Sequence, residues 1–177
     1  MSEERSDEEL MASWRSGDRQ AFEHLFRRHA PRMRGYFIRT GVRPQAAGDL
    51  VQQTFLHLHR ARADFRAGSR LRPWLYTIAA NVRRMHFRRA GRKPEAEWNP
   101  QSHGEPSVSP QASTPEQRAL RRALDQLDAA QRDVLVLHYF EDLPFAEVAE
   151  VLGISTSAAK VRAHRAYKRL RAMLDED

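Results

Sequence analysis

Apolar residues recur at helical spacing through most of the chain, and no stretch alternates at the period of a strand. Phe22, Leu25, Phe26 and His29 fall at i, i+3, i+4 and i+7, with Asp18 placed to cap the helix that holds them. Gly41 and Pro44 interrupt the pattern. Leu50, Val51, Thr54, Phe55 and Leu58 then form a second stripe. Gly68 and Ser69 mark a short loop, after which Pro73 suits the first turn of a helix that buries Trp74, Ile78 and Val82. Periodicity stops over 91–115, where Pro94, Pro100, Pro106, Pro110 and Pro115 stand among Gly and Ser. Such a stretch buries too little apolar surface to offset its ordering entropy, which predicts a flexible linker. Helical stripes return with Leu120, Leu124 and Leu127, then Val134, Leu135, His138 and Tyr139. The pattern predicts an all-α protein of two small domains, 1–90 and 116–177, joined by the linker 91–115.

The last two predicted helices carry the sharpest signal. Pro144 suits the first helical position, and Phe145, Val148, Ala149 and Leu152 form a buried face. Gly153 supplies the left-handed residue on which a helix ends, and Ser155 can cap the next helix. That helix buries Ala159, Ala163, Ala166 and Leu170, small at first and larger later. Small residues let two helices cross closely. Two helices joined by a tight Gly turn, the second strongly basic, predict a helix-turn-helix that binds DNA.

Charge changes the picture in the same direction. The 177 residues carry a formal net charge of +7, and charged residues make up 30% of the chain. Arg83, Arg84, Arg88, Arg89, Arg92 and Lys93 form one acid-free cluster, and Lys160, Arg162, Arg165, Lys168, Arg169 and Arg171 another. Each ends a helical pattern, as a phosphate-facing surface would. There is no Cys, hence no disulfide, thiolate zinc site or Cys nucleophile. His57 and His59, two apart on a helix, point to different faces and form no metal pair. Gly-rich phosphate loops, H-E-x-x-H and nucleophile elbows are missing, so neither catalytic residues, nor a metal, nor a cofactor is expected. The N-terminus is acidic at Glu3, Glu4, Asp7, Glu8 and Glu9, the opposite of a secretory signal. No apolar run approaches the ~20 residues that span a bilayer, so a cytoplasmic protein without membrane insertion is expected. With Asp177 closing the sequence, regulation through an appended domain is not expected.

Several segments resemble a known family. The segment 127–140, LDAAQRDVLVLHYF, resembles the opening of sigma region 4. EVAEVLGIS over 147–155 resembles its first helix and turn, and KVRAHRAYKRLR over 160–171 its recognition helix. In the first domain, DLVQQTFL over 49–56 resembles the polymerase-binding part of sigma region 2. PWLYTIAAN over 73–81, with Arg88 and Arg89, resembles its promoter-melting part. The ordered set is similar to the extracytoplasmic-function (ECF) sigma factors of the sigma-70 family, group 4.

That resemblance implies a factor that binds core RNA polymerase, captures a single-stranded minus-ten element with region 2 and reads a duplex minus-thirty-five element with region 4. It also implies control by an anti-sigma factor. Polymerase contact falls to Asp49, Gln52, Gln53 and Leu56, with Gln53 standing where the family usually carries Glu. Minus-ten contact falls to Phe65, Arg66, Ser69, Asn81, Arg84 and Arg88, with local packing an open alternative for Phe65. Trp74 and Tyr76 are melting candidates by type, but Trp74 lies on an apolar stripe and is read as core. Met85 replaces an Asp that the family commonly carries after the Asn. Minus-thirty-five contact falls to Thr156, Ser157, Lys160, Val161, Arg162, His164, Arg165 and Lys168. Lys160 can donate to guanine and Val161 can meet a thymine methyl, while Arg162 and Lys168, with Arg169 beside them, are read as phosphate holders. The remaining alternative is a dimeric helix-turn-helix regulator acting without core polymerase.

Distances give one further expectation. Two promoter elements about two turns of DNA apart are separated by roughly 70 Å. A relaxed linker over 91–115 spans about 25–30 Å, and a fully extended one about 80–90 Å. The linker is expected to be stretched in the active complex. In the free protein the two domains are expected to lie close together or packed on one another.

Overall fold

The computed structural model describes residues 5–91 and 114–175, and these are helical with no strand among them. Most of the predicted linker, 92–113, lies outside the described residues.

Among the described residues the first unit has four α-helices. Helix α1 (Asp7–Arg15) starts at a capping box, in which the Ser6 side chain accepts from Glu9 N–H and the Glu9 carboxylate accepts from Ser6 N–H. It buries Leu10, Met11 and Trp14, each contributing roughly 1.5–3 kcal/mol of transfer free energy. The sequence reading gave this acidic segment no helix; its apolar residues form one turn's stripe beneath a charged face. Helix α2 (Arg19–Arg39) begins at Asp18, whose carboxylate accepts from Gln20 and Ala21 N–H as predicted. Helix α3 (Pro44–Arg60) buries Leu50, Val51, Thr54, Phe55 and Leu58, the predicted stripe.

A short 3-10 turn (Arg62–Asp64) leads to α4 (Leu71–Arg89). Arg70 offers α4 no side-chain cap; Glu8 of α1 accepts from Leu71 N–H instead, so one helix caps another from a distance. The buried side of α4 is centred on Leu75, Tyr76, Ala79, Val82, Arg83 and Phe87, and Trp74 and Ile78 are only half-buried. The predicted face is therefore rotated, because α4 is covered from two sides, by α3 and by the second unit.

In the second unit α5 (Pro115–Asp125) is capped by Thr114, and α6 (Ala129–Leu135) by Asp128. Arg132 of α6, 1% exposed, donates to the carbonyls of Leu124, Asp125 and Leu127 and so closes the C-terminus of α5. After α6 the chain widens into a π-turn over Val136–Phe140, with Glu141 N–H bonded to Val136 carbonyl. Asp142 then takes a left-handed φ of 53°, a conformation Asp tolerates better than most residues. Helix α7 (Phe145–Leu152) has Pro144 at its N-cap, one residue before the predicted position, and ends on Gly153 at φ 65°. Ser155 accepts from Ala158 N–H at the start of α8 (Thr156–Asp175), whose Ala159, Ala163 and Ala166 are buried.

The units are packed on one another, as linker length led us to expect. One buried cluster runs from Leu10 and Phe37 of the first unit to Val148 and Ala163 of the second. A smaller one gathers Leu124, Leu127, Leu135 and Ala166 beneath α5.

Candidate polymerase and promoter interfaces

Helix α3 divides its faces cleanly. Opposite the buried stripe, Asp49, Gln52, Gln53 and Leu56 form an exposed row at i, i+3, i+4 and i+7. Leu56 is 47% exposed, a large apolar side chain left without cover.

On α4, Asn81, Arg84 and Arg88 are exposed along one side, and Arg84 donates to the Asn81 side-chain oxygen. Arg66 is exposed and Ser69 half-buried in the preceding loop. Phe65 is buried, its ring centroid 5.2 Å from that of Trp74, so in this conformation it packs locally. Tyr76 is also inside, 1% exposed, with its hydroxyl bonded to Glu141. Burial and the Glu141 charge push its phenol well above the ordinary tyrosine range.

The sequence reading placed Arg83 in a phosphate-facing cluster, and the structure corrects this. Arg83 is 5% exposed, donates from Nε to Thr40 carbonyl at 3.0 Å and pairs through Nη1 with Asp133 at 2.9 Å. Burial is the largest single influence and works against its charge, but the Asp133 carboxylate and Tyr36 together outweigh it and hold the guanidinium protonated.

The N-terminal half of α8 exposes Thr156, Ser157, Lys160, Val161, His164 and Arg165, with Lys168 a turn further on. Arg162 is half-buried and turned toward the first unit. It lines a cleft of about 420 Å³ together with Arg84, Phe87, Asp133 and Val151. A minus-ten candidate and a minus-thirty-five candidate thus share one cleft.

Sequence reasoning missed the residues that join the units. Arg32 of α2 donates to Phe140 carbonyl at 2.9 Å and to Asp142 at 2.9 Å, and lies 3.4 Å from the Glu141 carboxylate. The Asp142 bond, the largest influence, raises the Arg32 pKa further. Arg39 sits 3.6 Å from Glu141, with its guanidinium over the Phe140 ring. Arg72 of α4 donates to Glu141 carbonyl, and Arg70 pairs with Glu147 at 2.9 Å. No periodicity flags these residues, because their partners lie far away in sequence.

Among the described residues no group of His, Cys, Asp and Glu is arranged to hold a metal ion. No described helix is long and apolar enough to cross a membrane.

Comparison with known proteins identifies the family. Sigma-70 region 2 matches residues 25–93, and Sigma-70 region 4 matches residues 117–170. The RNA polymerase sigma factor CarQ of Myxococcus xanthus is 41% identical over 94% of this chain and 96% of its own length. The ECF RNA polymerase sigma factor SigM of Mycobacterium tuberculosis is 33% identical, over 97% of this chain and 86% of its own. The solved structure of CnrH in complex with the cytosolic domain of CnrY superposes with a TM-score of 0.75 at 29% identity. It covers 97% of this chain and 98% of that one. The dimeric-regulator alternative gives way to these matches, which span both units in order. The chain belongs to the ECF RNA polymerase sigma factors of the sigma-70 family, which bind core polymerase, recognise promoter DNA and direct transcription initiation.

Proposed function

We propose that this sigma factor divides its work among three surfaces. In the first unit, 1–90, the exposed row Asp49, Gln52, Gln53 and Leu56 grips core polymerase. The same unit takes the single-stranded minus-ten element on Asn81, Arg84 and Arg88, with Arg66 and Ser69 from the loop. Phe65 joins only if the loop opens. In the second unit, 116–177, Thr156, Ser157, Lys160, Val161, His164 and Arg165 read the duplex minus-thirty-five element, while Arg162 and Lys168 hold phosphates once the units part. The linker 91–115 sets the reach between the two DNA sites. What supports this reading above all is exposure. Polar and cationic side chains that the packing leaves outside lie on the helices whose other faces are buried. The chain works in the cytoplasm as a regulator without catalysis of its own, under an anti-sigma factor, the class of partner found in the complex of the sigma factor RpoE with NepR from Bartonella quintana.

The test is run-off transcription by core polymerase with each variant on promoter libraries randomised in one element at a time. Asp49→Arg is expected to lower all initiation regardless of sequence. Asn81→Ala should change selection only in the downstream element and Lys160→Ala only upstream. Identical selection profiles for the last two variants would overturn the division of labour.

A further inference from the structure

The loop assigned to the minus-ten element is a short span between two fixed ends. It starts at Phe65, 6% exposed and packed on Trp74, and re-enters a helix at Leu71, 0% exposed. Between them Arg66, Ala67, Gly68 and Arg70 are exposed, and Ser69 N–H donates to Arg66 carbonyl at 3.1 Å. An exposed turn of this kind makes few contacts of its own, so its ends set its place. At the second end Arg70, the N-cap of α4, gives the helix no side-chain bond. The carboxylate of Glu8, 63 positions away, accepts from Leu71 N–H at 2.9 Å and supplies the cap instead. Glu8 is itself held in place. Ser6 and Glu9 close the start of its helix, Asp7 lies 2.7 Å from Arg28 and 2.8 Å from His29, and Leu10 and Met11 are buried.

We propose that Glu8 is a positioning residue for the downstream promoter element: through the Leu71 amide it fixes where α4 begins, and so where Arg66 and Ser69 stand to meet an extruded base. Without that acceptor the first turn of α4 frays, and each residue released gives the loop about 3.3–3.6 Å of slack. A hydrogen bond to a base edge does not tolerate a shift of that size. The loop has a second tie, the ion pair of Arg70 with Glu147 at 2.9 Å, but Glu147 belongs to the second unit and leaves when the units part. Glu8 belongs to the first unit and stays. What position 8 must supply is an accepting oxygen at the right reach, rather than a negative charge. The inference rests on the two-site reading above, which assigns Arg66 and Ser69 to the downstream element.

The test combines the full-length chain with core polymerase on promoter libraries randomised in one element at a time. Amide hydrogen exchange over 65–71 of the free variants gives a second readout. Glu8→Ala is expected to weaken preference for the selected downstream bases roughly threefold or more, the order of effect of losing a helix cap, and to leave upstream selection unchanged. Exchange at the Leu71 amide should quicken by a similar factor. Glu8→Gln keeps an accepting oxygen and loses the charge, so it should retain both the selection and the protection. Glu8→Asp keeps the charge but is one methylene short, so it should behave like Glu8→Ala. If Glu8→Ala lowers helical circular dichroism, the contrast between Glu8→Gln and Glu8→Asp carries the test, since both keep a polar group in the first turn of α1. Native downstream selection in Glu8→Ala, with Asn81→Ala still altering it, would overturn the proposal and leave the two-site reading standing. Native selection in Asn81→Ala as well would overturn that reading and the proposal with it. Glu8→Gln as damaging as Glu8→Ala, with Glu8→Asp harmless, would also overturn the proposal, because charge and not position would then carry the effect.

Discussion

The helices of the first unit and the α7–α8 crossing of the second are packed with different materials. The first fills its interior with large side chains, among them Met11, Trp14, Leu25, Met33, Tyr36, Phe37 and Phe55. The second brings α7 against α8 over Val148, Ala149, Ala159 and Ala163. Bulk separates α2, α3 and α4 and fixes them as a scaffold whose outer faces are free. Alanine lets the reading helix cross closely over its partner and keeps its outer side clear for a groove of DNA. The first unit should therefore suffer most from cavities and the α7–α8 crossing from overfilling.

The largest effect is expected where that contrast is broken from the first side. Leu25→Ala, at a position 0% exposed, should cost about 2–5 kcal/mol, read as a lower urea midpoint with an unchanged slope. The mirror change, Ala163→Leu, should cost about 1–3 kcal/mol by overpacking, and it should blunt upstream-element selection by tilting α8. A stabilising Ala163→Leu would show that the helices do not need close approach. Asp49→Arg sharpens the comparison from outside. It should leave stability unchanged but weaken association with core polymerase by about 1–3 kcal/mol, measured by co-purification at moderate salt.

The smallest effect concerns acid. Burial raises the Asp7 pKa, but bonds to His29 and Arg28 outweigh it and hold the carboxyl below its ordinary 3.8. A folded value below the unfolded one stabilises the fold above the unfolded value and loses that contribution as pH falls through the folded one. Urea melts of the native chain and Asp7→Asn should differ at pH 5 and converge as the pH drops below 3.8.

Much of this was legible beforehand. The stripe Leu50 to Leu58, the cap at Asp18, the turn at Gly153 and the alanines of α8 follow from spacing and residue type, since each is a local rule. Exposure of Asp49 and Lys160 followed from the same periodicity. Helix α1 escaped because three apolar residues among acids give too short a stripe to stand out. Arg83 was misplaced because a cationic side chain reads as solvent-facing until a distant carboxylate, Asp133, is brought to it. Tyr76 and Glu141 lie 65 positions apart in sequence, and nothing local pairs them. Long-range ion pairs are what a pattern of apolar spacing does not encode.

The two-site reading requires one chain, packed together when free, to stretch on polymerase until it bridges two promoter elements. Its most direct measurement is the distance between labels at Arg60→Cys and Ala172→Cys before and after core polymerase is added. The account predicts a change from within about 40 Å, the span of a compact chain, to about 70 Å, the separation of the elements. A distance that stays short in a complex competent to initiate at a two-element promoter would contradict it.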